Sequence, residues 1–86
     1  MKIHELKCHT EYFMKVVTSQ KKFEIRKNDR DYKVGDVLHL QNYDPKNETY
    51  LFGYCLAEVD YIFEGKGFGV TSGYCVMSIT ILTSDY

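Results

Sequence analysis

Apolar and polar positions alternate along Ile3-His4-Glu5-Leu6-Lys7-Cys8, setting His4, Leu6 and Cys8 on one side and Glu5 and Lys7 on the other, the pattern of a half-buried strand. The period then lengthens. Phe13, Val16 and Val17 recur at helical spacing after Thr10, a residue suited to cap a short helix with Glu11 in its first turn; the pattern fades at Thr18-Ser19-Gln20. Alternation returns at Phe23-Glu24-Ile25-Arg26-Lys27, which predicts a strand with Phe23 and Ile25 toward the core and Lys22, Glu24 and Arg26 on a polar face. A polar loop, Asn28 to Lys33, and a Val34-Gly35-Asp36 turn lead into a strand over Val37 to Gln41. Leu51 to Phe63 reads as a long strand with Cys55, Ala57, Val59, Tyr61 and Phe63 on one side, Glu58 and Asp60 on the other, and a bulge at Gly53. After a loop punctuated by Gly65, Gly67, Gly69 and Gly73, Tyr74 to Leu82 reads as the last strand, with Cys75, Met77, Ile79 and Ile81 inward.

Five or six strands and one short N-terminal helix in 86 residues predict an α+β domain over residues 1–86, a small, mostly antiparallel, strongly bent sheet or partly closed β-barrel. Composition agrees. Eight Tyr and five Phe favour strands, and 44% hydrophobic residues with a single Pro exclude a disordered chain. No stretch approaches the ~20 apolar residues of a membrane span, and the N-terminus lacks a secretory apolar run, so a cytoplasmic protein with no membrane partner is expected. Cys8, Cys55 and Cys75 are an odd number of thiols without a CxxC pair, which suits small buried hydrophobes better than a disulfide framework. His4, Cys8 and His9 form H-x3-C-H, but spacing supplies no second pair; no metal site and no cofactor are expected.

The net charge of −1 conceals an asymmetry, because residues 1–43 hold nine Lys/Arg against six Asp/Glu and residues 44–86 hold two against six. Residues 21–33 concentrate six bases against three acids. Such a strip is too local to hold long duplex DNA by bulk charge but suffices for a few phosphates. Within it, Arg26 suits bidentate donation to a phosphate or base edge, with Glu24 accepting from a base amino group or orienting the arginine. The alternative is an exposed cross-strand or same-face salt bridge of little energetic weight. Lys27, Asn28 and Arg30 are placed to contact phosphates, and Tyr32 or Tyr43 to stack on a base. The competing reading is a solvated loop neutralised by Asp29 and Asp31. Lys7 joins the same cleft if the first and second strands are neighbours. Gly65-Lys66-Gly67-Phe68-Gly69 lacks the context of a phosphate loop and reads instead as a lid tipped by Phe68.

The run from Lys21 to Asp36, with His4-Glu5-Leu6-Lys7-Cys8-His9 before it and Gly73-Tyr74-Cys75-Val76 after it, resembles the ASCH (activating signal cointegrator homology) group of the PUA-like superfamily. It is most similar to a bacterial and phage family of uncharacterised ASCH-like domains. The resemblance implies a PUA-like β-barrel with a helix beside a cleft, and binding of RNA, another single-stranded nucleic acid or a nucleotide-like ligand. Lys7, Lys21, Glu24, Arg26, Lys27, Asn28, Arg30 and Tyr32 are then the expected contacts. Some members of the group resemble small amidohydrolases acting on acylated cytidine; Lys21 matches their lysine, whereas Glu24 stands where they carry a threonine nucleophile. A hydrolase of amidohydrolase or ribonuclease type, with Lys21 and Glu24 as its acid–base pair, is therefore the second expectation. A protein-interaction adaptor with an exposed cluster of Tyr43, Tyr50, Leu51 and Phe52 is the third.

Overall fold

The computed structural model describes residues 1–86. Strict alternation buries His4, Leu6 and Cys8 in β1 (Ile3–His9), and α1 (Thr10–Val17) follows without an intervening loop. The remaining strands are β2 (Phe23–Lys27), β3 (Val37–Asp44), β4 (Thr49–Phe63) and β5 (Tyr74–Asp85). All five join one sheet in the order β1-β3-β4-β5-β2, with β1 parallel to β3 and every other pairing antiparallel.

β1 and β2 are the two edges of this sheet, yet they lie close together because the sheet curls. The guanidinium of Arg26 on β2 reaches across to the Lys7 carbonyl at 3.0 Å, and Arg30 reaches the Glu5 carbonyl at 3.0 Å. The result is a half-barrel whose seam is spanned by side chains in place of a backbone ladder. Two arginines thereby cap carbonyls that an open edge leaves unpaired.

Three irregularities interrupt the ladders, one of them between Leu56 and Ala57 where β4 meets β5, and the other two shape the site. Pairing of β3 with β4 slips between Gln41 and Tyr43, opposite Gly53 at φ +122°. A Cβ on Gly53 would lie 3.1 Å from the Phe13 ring, so the bulge also makes room for α1. The second slip, between Val59 and Tyr61 where β4 meets β5, reverses the inward parity of β4. Cys55, Ala57 and Val59 point inward as expected, but beyond the slip Ile62 packs on the core and Tyr61 and Phe63 turn out to solvent.

Phe13 and Val16 are fully buried and hold α1 against a core that includes Leu38, Leu40, Val59 and Met77. Thr10 does not cap the helix: His9 occupies the capping position, no side chain caps it, and Thr10 is the first helical residue. At the other end Ser19 adopts φ +63°, and the amides of Gln20 and Lys21 both donate to the Lys15 carbonyl. This reverses the chain and brings Lys21 back toward β1.

The Val34-Gly35-Asp36 turn has a polar anchor beneath it. Asp36 is buried and accepts from the backbone amides of Lys2 and Lys33 and from His4 Nε2 at 2.8 Å. The His4 hydrogen bond is the leading cause that holds the Asp36 carboxyl down at about 2, against 3.8 for the free group. Because the folded value lies below the unfolded one, this contribution is complete above the unfolded value and is lost as pH falls through the folded one. The difference in Tm between the parent chain and Asp36→Asn is therefore expected to shrink as pH falls from about pH 4 to about pH 2. A thermal-melting series across that range checks it, and a difference that does not change with pH would contradict it.

Candidate functional site

The free edge of β2, the edge of β1 and the start of α1 enclose a cavity of about 450 Å3 lined by Lys7, Cys8, His9, Tyr12, Lys21, Phe23, Glu24, Ile25 and Arg26. That volume lies within the range of small-ligand sites. At its floor is Glu24, only 3% exposed. The alternation of β2 is thus inverted relative to the sequence expectation: Glu24 points inward, while Phe23 and Ile25 are exposed along the cavity rim. The inversion is possible because β2 is an edge strand facing the seam, and because the buried carboxylate brings its own counter-charges.

Those counter-charges are Lys21 and Arg26. Lys21 Nζ donates to Glu24 Oε1 at 2.9 Å and to the Phe23 carbonyl at 2.6 Å. Arg26 Nε donates to Glu24 Oε2 at 2.9 Å, and its Nη2 also lies 2.9 Å from that oxygen. Each carboxylate oxygen thus receives a charge-assisted hydrogen bond, the condition under which a buried carboxylate is tolerated. Two cations share one anion, so the cluster carries a surplus positive charge. A third Lys21 N–H and the Nη1 group of Arg26 have no partner within the protein and are free for a ligand.

Aromatic rings flank the cations. Lys21 Nζ lies 4.8 Å from the Phe23 ring centroid and 5.8 Å from that of Tyr12, and both rings are more than two-fifths exposed. Lys7, on the facing edge, gives its carbonyl to Arg26 and sets its ammonium 4.7 Å over the Tyr43 ring. Cys8 also lines the cavity, but burial, reinforced by the nearby Glu24 carboxylate, pushes its thiol up to about 12. A thiol so placed is protonated at neutral pH and is no nucleophile.

The structure brings Lys7, Lys21, Glu24 and Arg26 together and sets the other expected residues apart. Lys7 joins the cleft although β1 and β2 share no backbone ladder, because the curl brings their edges face to face. Lys27 shares the outer face of β2 with Phe23 and Ile25 and does not line the cavity. Asn28 borders a separate cavity with the glycine loop, its amide bonded to the Gly73 carbonyl. Arg30 spans the seam to Glu5. Tyr32 is buried in the core with its ring edge-on to His4 at 4.8 Å, which removes it as a base-stacking surface. The glycine loop contributes nothing to the cleft wall, and Phe68 packs beside Phe63 at 5.7 Å between ring centroids. Tyr12, Phe23, Ile25, Cys8 and His9 were not expected in the cleft. Tyr12 alone had a signal: it lies off the apolar stripe of α1, a large aromatic with no place in the core.

Residues 3–79 match the family model described as a domain of unknown function, DUF3850. The chain belongs to the DUF3850 family. Every cleft residue lies within the matched span, so the cavity of this chain falls inside its DUF3850 domain. The chain is also similar, at 48% identity over 42 residues, to an uncharacterised 12.9 kDa protein in the GpA 3′ region of Escherichia phage P2. The aligned stretch is 49% of this chain and 38% of the phage protein, so less than half of that relative's length is matched. No helix of the DUF3850 domain is long and apolar enough to cross a membrane.

Proposed function

We propose that the chain is a binding module for single-stranded RNA or a nucleotide-like ligand, and that its cleft takes one nucleotide. The observation that carries this reading is the Lys21-Glu24-Arg26 cluster, in which a buried carboxylate fixes two cations that line a cavity of about 450 Å3. Glu24 acts here as a positioning residue: it orients the donors, and the ligand's phosphate or base edge meets Lys21 and Arg26. Tyr12 and Phe23 supply the exposed rings on which a base stacks. The similarity of the Lys21–Asp36 run to ASCH-like, PUA-like domains supports the same reading. A hydrolytic reading finds less support, because Glu24 replaces the threonine nucleophile, both of its oxygens are engaged, and Cys8 is a protonated thiol.

Calorimetric titration of adenosine 5′-monophosphate and short single-stranded RNAs tests the proposal. Affinity between millimolar and tens of micromolar is expected, since one charge-assisted contact and one stacked base together supply about 2.5–6 kcal/mol. The Lys21-Glu24-Arg26 cluster, with one surplus positive charge, and Lys7 together neutralise about two phosphates of a short RNA, giving a log–log salt slope near −1.4 at ~0.7 per contact. Lys21→Ala, which deletes one charged donor, is expected to weaken binding about 10- to 150-fold. No binding at low salt, together with turnover of acylated cytidine lost in Lys21→Ala, would transfer the cleft to the hydrolase reading.

A further inference from the structure

The cleft does not end at Lys7 and His9. Both residues lie on the outer face of β1, where His9 pairs in register with Tyr43 of β3, and Tyr43 pairs in turn with Tyr50 of β4. The contacts follow that register. Lys7 Nζ stands 4.7 Å from the Tyr43 ring centroid, the His9 ring lies 6.3 Å from it, and the Tyr43 and Tyr50 rings meet edge to face at 5.2 Å. An aromatic strip therefore runs from the cavity mouth onto the solvent face of the sheet, ending at Tyr50, which is 54% exposed.

We propose that Tyr43 and Tyr50 form a second stacking position, taking the base next to the one held in the cleft. The inference rests on the cleft reading above and adds to it a ligand of at least two linked nucleotides. Continuity is supplied by Lys7, which lines the cavity and covers the Tyr43 ring at once, so one cation serves the phosphate linking the two bases. The register sets the direction. His9 of β1, Tyr43 of β3 and Tyr50 of β4 stand side by side across the sheet, and Lys7 leads from the cavity onto the Tyr43 ring. A strand leaving the cleft along Lys7 therefore passes over Tyr43 and Tyr50 toward the β3–β4 turn, away from Glu58 and Asp60 on the outer face of β4. A cross-strand Tyr pair also serves simply to stiffen a hairpin, and the experiment separates the two roles.

Calorimetry with adenosine 5′-monophosphate, the 5′-phosphorylated dinucleotide AA, and AA analogues abasic at either position supplies the readout. One stacked base is worth about 5- to 140-fold in affinity, so AA is expected to bind that much more tightly than either abasic analogue. Tyr50→Leu is expected to erase the difference between AA and the analogue that keeps the cleft base while leaving the monophosphate affinity unchanged, and Tyr50→Phe to retain it. If the abasic analogues bind as AA does, or Tyr50→Leu keeps the difference, the second position is refuted and the cleft stands. If neither the monophosphate nor AA binds, both readings fall together.

Discussion

A Lys21→Met, Arg26→Met double variant is expected to lose about 3–5 kcal/mol of stability, because it leaves the Glu24 carboxylate buried with neither of its partners. In a domain of this size that corresponds to a fall in Tm of roughly 12–40 °C, enough to unfold a marginal protein near physiological temperature. Adding Glu24→Leu to the double variant is expected to recover most of the loss, since an apolar side chain replaces the stranded charge and packs beside Cys8. The triple variant is thus folded but unable to bind, which separates the stabilising role of the cluster from its role toward a ligand. Thermal melts of the three proteins check the argument. A double variant melting within a few degrees of the parent would show that Glu24 is hydrated and that the cluster is an ordinary surface ion pair.

Phe13→Ala is expected to cost about 3–5 kcal/mol, the range for removing a fully buried aromatic side chain. The effect should extend to the cleft. Phe13 and Val16 are the only fully buried residues of α1, and the Phe13 ring fills the space left by Gly53 and meets the Tyr86 ring edge-on at 6.4 Å. Loosening that anchor frees the helix that carries Tyr12 on the cavity wall. Tyr12→Ala makes the contrast: its side chain is 45% exposed, so stability should change by less than about 0.5 kcal/mol while base stacking is lost. Denaturant unfolding beside ligand titration of the two variants distinguishes an anchor from a contact. A Phe13→Ala protein of unchanged stability would mean that α1 does not depend on this residue.

Much of the fold was legible because most strands keep a strict two-residue alternation. His4, Leu6 and Cys8, and Cys75, Met77 and Ile79, point inward as their spacing dictates. Legibility failed where local pattern and tertiary placement disagree. At Asp60 the slip against β5 turns Tyr61 and Phe63 outward, and nothing in Val59-Asp60-Tyr61 marks it. At β2 the usual rule that apolar residues face inward selected the wrong side, because an edge strand at a seam can bury a carboxylate if cations from both of its ends close over it. The cleft was half legible for the same reason. Lys21, Glu24 and Arg26 are close in sequence and meet in the structure, whereas Lys27, expected beside them, does not line the cavity. Tyr12 and His9 enter the site only through the reversal at Ser19 and the curl of the sheet, which no local pattern specifies. Tyr32 misled in the opposite sense, since a tyrosine in a basic loop resembles a stacking residue until its ring is placed against His4 in the core.

Amide chemical-shift mapping tests the cleft most directly. On titrating the uniformly 15N-labelled chain with adenosine 5′-monophosphate at low salt, the largest shifts are expected at His9, Tyr12, Lys21 and Phe23 to Arg26, residues that line the cavity. Lys27, Asn28 and the glycine loop, which lie outside it, should change little. Shifts confined to the glycine loop and Asn28, or none at millimolar nucleotide, would contradict the assignment of the Lys21-Glu24-Arg26 cleft as the binding site.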